Sequence, residues 1–386
     1  MKLLDGVKVV EFCSVAAGPF CAMLLADLGA DVIKVEHPGG GDSMREWPPI
    51  TDGYSENFAS LNRNKRSVTL NLKDPLDAEL ARQLACDADI IVENNRPGVM
   101  RRLGLDYETL SAQSPGLVYC SISAFGQQGP RSSEGGFDLT LQAMSGVMSV
   151  TGEPGGAPVK SGVPLTDFAT GLYGAMAAIA ALRQAEQTGQ GSHVDVPMFG
   201  ASLAIAALQT SEYFGSGKDP VKLGSAHPRN APYQAFKVQD GYIAFAAGND
   251  KLWKSTCTAI GREDLADAER FSSTRLRCAN QAELVEIIEA AFADTSVDEA
   301  LQRLREAAVP CSPINTYSQA LADEQVAHMG WVQPLQLPGG QMTKTFVSPL
   351  TIGGVGGTVR RSPPRLGEHN AELLDPLREK QAQVAG

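Results

Sequence analysis

The stretch Val7-Lys-Val-Val-Glu-Phe-Cys-Ser-Val-Ala-Ala-Gly-Pro-Phe-Cys-Ala-Met-Leu-Leu-Ala-Asp-Leu-Gly-Ala-Asp-Val-Ile-Lys-Val35 decides the fold. Residues 7–12 are rich in β-branched side chains, residues 19–30 are apolar at helical spacing, and residues 31–35 return to a strand pattern. Strand, helix and strand in that order make a β-α-β unit. The pattern recurs downstream. Residues 67–72 read as a strand, Asp74 as an N-cap with Pro75 at the first helical position, and residues 90–92 as the next strand. Residues 117–122 and 194–196 add two more. Strands separated by helices of this length imply a parallel, Rossmann-like sheet covered on both faces, with right-handed crossovers.

The texture changes around Asn230. Residues 233–238 and 242–246 flank Gln239-Asp240-Gly241, an antiparallel hairpin signal, and helical segments follow near 251–260, 281–293 and 297–308. A single core stops growing near about 250 to 300 residues, so a chain of 386 is expected to hold two domains. The division expected is a large α/β domain of residues 1–205 and 326–386, a linker of 206–219, and a smaller α+β domain of 220–325. Val309-Pro-Cys-Ser-Pro313 reads as the exit from the smaller domain. Beyond residue 325, Gly353-Gly-Val-Gly-Gly357 and Pro363-Pro364 predict little regular structure, packed back on the first domain. No solenoid repeat or low-complexity tract interrupts this plan.

A net charge of −11 argues against a nucleic-acid footprint or a general affinity for anionic lipid. Seven scattered cysteines without a Cys-x-x-Cys encode neither a disulfide framework nor a zinc site, and they fit reduced thiols in a cytoplasmic protein. Asp5 and Glu11 stand where a signal peptide needs an apolar core. The uncharged stretch of residues 168–182 is dotted with Gly and Ala and reads as a tightly packed core helix rather than a membrane span.

Several familiar sites are absent. No G-x-G-x-x-G follows a strand, no phosphate-binding P-loop or G-x-S-x-G elbow is present, and the five histidines form no metal-spaced pair. Asp167 remains, in Pro164-Leu-Thr-Asp-Phe-Ala-Thr-Gly-Leu-Tyr-Gly174, where an apolar helix begins. A carboxylate there is either a cap for orphan N–H groups or a nucleophile held by them. Lys65, Arg66, Lys73, Arg96, Arg101 and Arg102 gather in the first half of an otherwise acidic chain. Near the ends of parallel strands they would suit a phosphorylated small molecule, although each singly fits a solvated face as well.

Leu4-Asp-Gly-Val-Lys-Val-Val-Glu-Phe12, Val15-Ala-Ala-Gly-Pro19, Leu25-Ala-Asp-Leu-Gly-Ala-Asp-Val-Ile-Lys-Val-Glu36 and Gly41-Asp42 resemble the start of the class III coenzyme A transferases. The resemblance continues through Asn64-Lys-Arg-Ser67, Leu70-Asn-Leu-Lys73, Val92-Glu-Asn-Asn-Arg-Pro-Gly98, Gly126-Gln-Gln-Gly-Pro130, Gly136-Phe-Asp138 and Leu366-Gly-Glu-His369. It implies a homodimer of interlocked chains and Asp167 as the catalytic nucleophile. Acyl-CoA thioesters and free carboxylic acids would be the substrates, with no tightly bound cofactor and no metal.

By the same resemblance, CoA would lie along Val15, Ala16, His37, Leu70, Asn71, Leu72, Lys73, Asn94, Asn95, Arg96, Arg102, Phe137 and Asp138. Lys73 and Arg102 would face phosphates. Two positions depart from the pattern: Ala16 stands where some members have Gln, and His37 where some have Arg. His227, Arg229 and Asn230 resemble a substrate-side loop, and Arg229 there would favour a dicarboxylic acid such as succinate or glutarate. The racemase branch of the family is the alternative; it uses a His in the Gly-x-Asp turn, where this chain has Phe137, which cannot take a proton. A CoA-binding homologue without activity is the third reading.

Overall fold

The computed structural model describes residues 2–385. They form two compact units, one of residues 2–147, 160–218 and 324–385, the other of residues 148–159 and 219–323. Residues 148–159 thus join the second unit, although the sequence reading puts them in the first.

The first unit is built on a six-stranded, wholly parallel sheet. Its strands in chain order are β1 (Lys8–Phe12), β2 (Asp31–Glu36), β3 (Lys65–Thr69), β4 (Ile90–Glu93), β5 (Val118–Ser123) and β6 (Ser192–Pro197), and they lie side by side as β3-β2-β1-β4-β5-β6. Alternate residues feed two separate cores. Val9, Val32, Val92 and Cys120 face helix α1 (Ala17–Asp27) and a long helix, Leu165–Thr188, whereas Val10, Ile33, Val68, Ile91 and Tyr119 face helix α2 (Pro75–Cys86) and Leu374 near the C-terminus. The inner strands β1, β4 and β5 are buried on both faces along most of their length, as a parallel sheet covered by helices requires, whereas the edge strand β6 leaves His193 and Asp195 exposed. Helix α2 starts as its sequence dictates: Asp74 accepts from the N–H groups of Leu76 (2.9 Å) and Asp77 (3.2 Å), with Pro75 in the first turn.

The long helix Leu165–Thr188, called α3 from here on, extends further than the uncharged stretch implied and is long and apolar enough by length and composition to cross a bilayer. In this unit it is a core helix. Gly171 and Gly174 let it lie against α1: a Cβ at Gly171 would stand 2.8 Å from the Phe20 ring and 2.9 Å from the Ala17 carbonyl oxygen. Gly171→Ala should therefore force the two helices apart, costing about 1–3 kcal/mol in a urea melt. Unchanged stability would show that the contact yields freely.

After residue 325 the chain is more regular than its Gly and Pro content suggests. Val332–Gln336 and Met342–Phe346 pair as an antiparallel hairpin, and Asn370–Ala385 is a helix. Leu366-Gly-Glu-His369 docks on the exposed edge of β3. Ser67 N–H donates to His369 Nδ1 (3.2 Å), His369 N–H to the Ser67 carbonyl (2.9 Å), and Thr69 N–H to Asn370 Oδ1 (2.8 Å). The motif thus covers a sheet edge that would otherwise present unpaired backbone groups.

The second unit carries an antiparallel sheet of β7 (Tyr233–Val238), β8 (Gly241–Ala246) and β9 (Cys311–Pro313), with β8 in the middle. Residues 309–313 therefore do not simply lead out of the unit; they complete its sheet. Helices Asp250–Ala259, Gln281–Ala291 and Val297–Glu306 pack Trp253, Leu284, Ile288, Leu301 and Leu304 against Phe236, Ile243 and Phe245.

Candidate active site

In the order β3-β2-β1-β4-β5-β6 the chain reverses its direction of winding between β1 and β4, and open parallel sheets bind ligands beyond the carboxyl ends of the strands at that point. The segments leaving β1 and β4 meet there. Ser14 N–H donates to Asn94 Oδ1 (3.0 Å), Asn94 Nδ2 returns a bond to the Ser14 carbonyl (2.8 Å), and Asn95 Nδ2 donates to the Phe12 carbonyl (3.1 Å). Between them opens a cleft of about 290 Å³, lined by Val15, Ala16, Asn94, Asn95, Arg96 and Asp167, with Phe137 and Met198 among its other walls. Helix α1 starts at this cleft without a side-chain cap and with no acidic residue in its first turn. Its first-turn N–H groups are positioned for an electron-rich ligand atom.

Asp167 is the third residue of α3. Capping falls to Asp138, whose Oδ1 accepts from Thr166 N–H (2.9 Å) and whose Oδ2 accepts from Gln142 Nε2 (2.7 Å). That leaves the Asp167 carboxyl, half-buried, without a hydrogen bond from any described residue. Burial, and then the like charge of Asp138, push its pKa up to about 7. If the ionised form is the reactive one, kcat/KM should rise with pH through an inflection near 7. Asp138→Asn keeps an acceptor for Thr166 and removes the neighbouring charge, so the inflection should move to lower pH. A pH profile unchanged by that substitution would rule out the electrostatic link.

The other residues expected at the site fall into groups. Val15, Ala16, Asn94, Asn95, Arg96 and Phe137 line the cleft with Asp167, and Phe137 is largely exposed at its wall. Asp138 stands beside them, its carboxylate engaged as a cap. His37, Leu70, Asn71, Leu72 and Lys73 follow β2 and β3 at the same sheet edge, outside the cleft lining. Leu70 is buried, so only its main chain could meet a ligand. Lys73 and Arg102 are exposed and form no ion pair among the described residues. His227, Arg229 and Asn230 lie in the second unit, where His227 stacks on Tyr233 and its Nδ1 accepts from Arg229 N–H (3.1 Å).

Two of the six gathered cations are unavailable to a ligand. Lys65 is wholly buried, with Nζ 2.7 Å from Glu11, and Arg66 is paired with Asp31 and Glu372. Both sit on β3, so neither belongs to a solvated helix face. Sequence reasoning also missed Glu11, Lys34 and Asp42, which lie buried under the cleft loop. For Glu11 and Lys34 the signal was present, because a charge within a strand covered on both faces must be paired; Asp42 lies outside the strands and carried no such signal. Among the described residues no group of His, Cys, Asp or Glu side chains is arranged to hold a metal.

Comparison with known proteins agrees with this geometry. The family described as CoA-transferase family III matches residues 4–370. The chain is 38% identical to the succinate–glutarate CoA-transferase of Agrobacterium fabrum, over 97% of this chain and 95% of that protein. It is 37% identical to the human succinyl-CoA:glutarate CoA-transferase, over 97% of this chain and 86% of that protein. A crystal structure of a CAIB/BAIF family protein from Brucella suis superposes with a TM-score of 0.85 at 38% identity, covering 98% of each chain. With a match along almost its whole length and its Asp167 cleft at the switch point of the sheet, the chain belongs to the family III CoA-transferases, and it is an enzyme of that class.

Proposed function

We propose that this enzyme moves CoA between short dicarboxylic acids, using Asp167 as a covalent carrier. The observation that carries the reading is a half-buried carboxyl with no hydrogen-bond partner among the described residues, aimed at the ligand crevice of the sheet. An Asp167 oxygen attacks the thioester carbonyl of an acyl-CoA; the C–S bond breaks, leaving an acyl-aspartyl anhydride and CoA thiolate. The thiolate attacks the aspartyl carbonyl, the donor acid leaves as its carboxylate, and an aspartyl-CoA thioester remains. An acceptor carboxylate reverses these steps, leaves as the new thioester, and restores Asp167. A carboxylate suits this work because one side chain must serve in turn as nucleophile and as electrophile while acyl energy is retained. Developing negative charge on the attacked carbonyl would be met by backbone N–H groups at the start of α1. Exclusion of water guards the intermediates from hydrolysis.

CoA would run from the cleft along the carboxyl edge of the sheet, past Asn94, Asn95 and Arg96, the 70–73 segment and His37. Exposed Lys73 and Arg102 would take its phosphates. The choice of dicarboxylic acids draws on the relatives named for succinate and glutarate and on one named for succinyl-CoA and mesaconate. Arg229 would read the distal carboxylate. Incubation with a panel of acyl-CoA donors and free acids, read by mass spectrometry of the esters and of the Asp167 peptide, tests the reading. CoA transfer to dicarboxylates with a CoA adduct on Asp167 is expected; transfer without any adduct would remove the covalent carrier. Arg229→Ala should raise KM for dicarboxylates far more than for monocarboxylates, and equal losses would exclude its role.

A cytosolic homodimer is part of the same proposal. Leu172, Met176, Leu208 and Phe214 are exposed on helices, Phe214 by 81%, and so large an apolar surface favours a partner. The seven cysteines are all free, in keeping with a reducing compartment. A folded monomer at high dilution would count against the dimer.

A further inference from the structure

Beneath the cleft loop lies a closed set of charges that the chemistry above does not use. Glu11, Lys34 and Lys65 sit on the adjacent strands β1, β2 and β3, Glu11 directly opposite Lys34, and Asp42 follows β2; none is more than 1% exposed. Lys34 Nζ donates to Glu11 Oε1 (2.9 Å) and to the Cys13 carbonyl (2.8 Å), and lies 3.0 Å from Asp42 Oδ2. Lys65 Nζ approaches Glu11 Oε2 at 2.7 Å and donates to the Pro19 carbonyl (2.9 Å) and Asn62 Oδ1 (3.0 Å). The two lysines therefore grip residues 13–19 at both ends. That segment is the loop and first turn of α1 that wall the cleft.

The middle of the segment is held by Asp42, whose two oxygens accept from Val15 N–H at 3.1 and 3.2 Å. Val15 has φ +68°, a left-handed conformation that glycine adopts freely and a β-branched residue strongly resists. Such a backbone persists only where its surroundings impose it. At the next position Ala16 has no polar side chain, so a hydrogen bond to the substrate from positions 15–18 must come from the main chain, whose direction Val15 sets.

We infer that Asp42 and Lys34 are positioning residues for CoA transfer: their buried ion pair clamps Val15 in its left-handed conformation and thereby aims the first-turn N–H groups of α1 at the thioester carbonyl beside Asp167. The inference rests on the proposed role of Asp167. It explains why a fully buried ion pair stands at the ligand edge of the sheet, and it separates the clamp from the surface it orients. Asp42 also caps the short helix Ser43–Glu46 through Met44 N–H (3.0 Å), and that purely structural duty must be told apart from the clamp.

The distinction comes from Val15→Gly, because glycine needs no clamp. The test uses the full chain and compares Asp42→Ala, Val15→Gly, the double variant and Asp167→Asn by amide hydrogen exchange over residues 13–19 and by transfer kinetics. Asp42→Ala should speed exchange of the Val15 amide at least about tenfold and lower kcat about ten- to a hundredfold, with KM for the free acid changed less than about threefold. Adding Val15→Gly should recover at least about tenfold of the lost kcat. Unchanged exchange or kcat in Asp42→Ala, or no recovery in the double variant, overturns the clamp. If Asp42→Ala fails to fold, Asp42→Asn, which keeps an acceptor but drops the ion pair, carries the same comparison with and without Val15→Gly. Asp167→Asn separates the two readings: if it still transfers CoA the covalent mechanism fails, and amide exchange alone then decides the clamp.

Discussion

Asp167→Asn should lower CoA transfer by at least about a thousandfold, the scale on which covalent catalysts lose rate when the nucleophile is removed. The asparagine keeps the shape of the side chain and the contacts of α3 but cannot form the anhydride. Stability should move the other way, which distinguishes this loss from misfolding. The folded pKa is raised to about 7 from an ordinary 3.8, so the native state holds this proton more tightly than the unfolded chain does. Stability from this group is fully present below the ordinary value and is lost as pH rises through the folded one. At pH 8 the parent protein carries a buried charge that the variant lacks. Asp167→Asn should therefore match or exceed the parent in a urea melt at pH 8, and the difference should vanish at low pH. Transfer retained by the variant, or a variant clearly less stable at pH 8, would defeat the reading.

Lys34→Met should cost about 3–5 kcal/mol of stability, the penalty for breaking a buried ion pair from one side. Methionine fills the space of the lysine stem but leaves Asp42 without its cation and Glu11 with Lys65 alone. The neighbouring acids hold the Lys34 ammonium well above the usual lysine range against the cost of burial, so the native network contains it charged. Glu11→Gln should be of similar severity, because Lys34 and Lys65 would then share a neutral amide. Urea unfolding followed by circular dichroism measures both. A change within about 0.5 kcal/mol, the range of ordinary surface substitutions, would mean that water or rearrangement screens these charges.

Much of this molecule could be read along the chain. Most strands of the parallel sheet announce themselves by β-branched and apolar residues, although β3 opens on Lys65 and Arg66 and β6 alternates with His193 and Asp195, and α2 announces itself by Asp74 and Pro75. Asp167 was visible as the one charge at the head of an apolar helix, and the ordered motifs carried the family. The hairpin at Gln239-Asp240-Gly241 was equally plain. The C-terminal helix Asn370–Ala385 was missed because its preceding Gly and Pro residues dominate the local texture, and β9 because Pro310 and Pro313 disguise a short edge strand.

The sequence by itself determined most of the element types, the layered α/β plan and the place of Asp167 at the head of an apolar helix, because these depend on periodicity and on neighbours within a few positions. Only the tertiary structure decided which charges do what. Asp138 and Asp167 are both acids near helix starts, yet one caps α3 and the other is left without a hydrogen bond among the described residues. Lys65 and Lys73 are near neighbours in the chain, yet one is sealed in the core against Glu11 and the other is exposed. Strand order and burial set those partners, and a charge finds its role from whatever lies within a few ångströms of it in space.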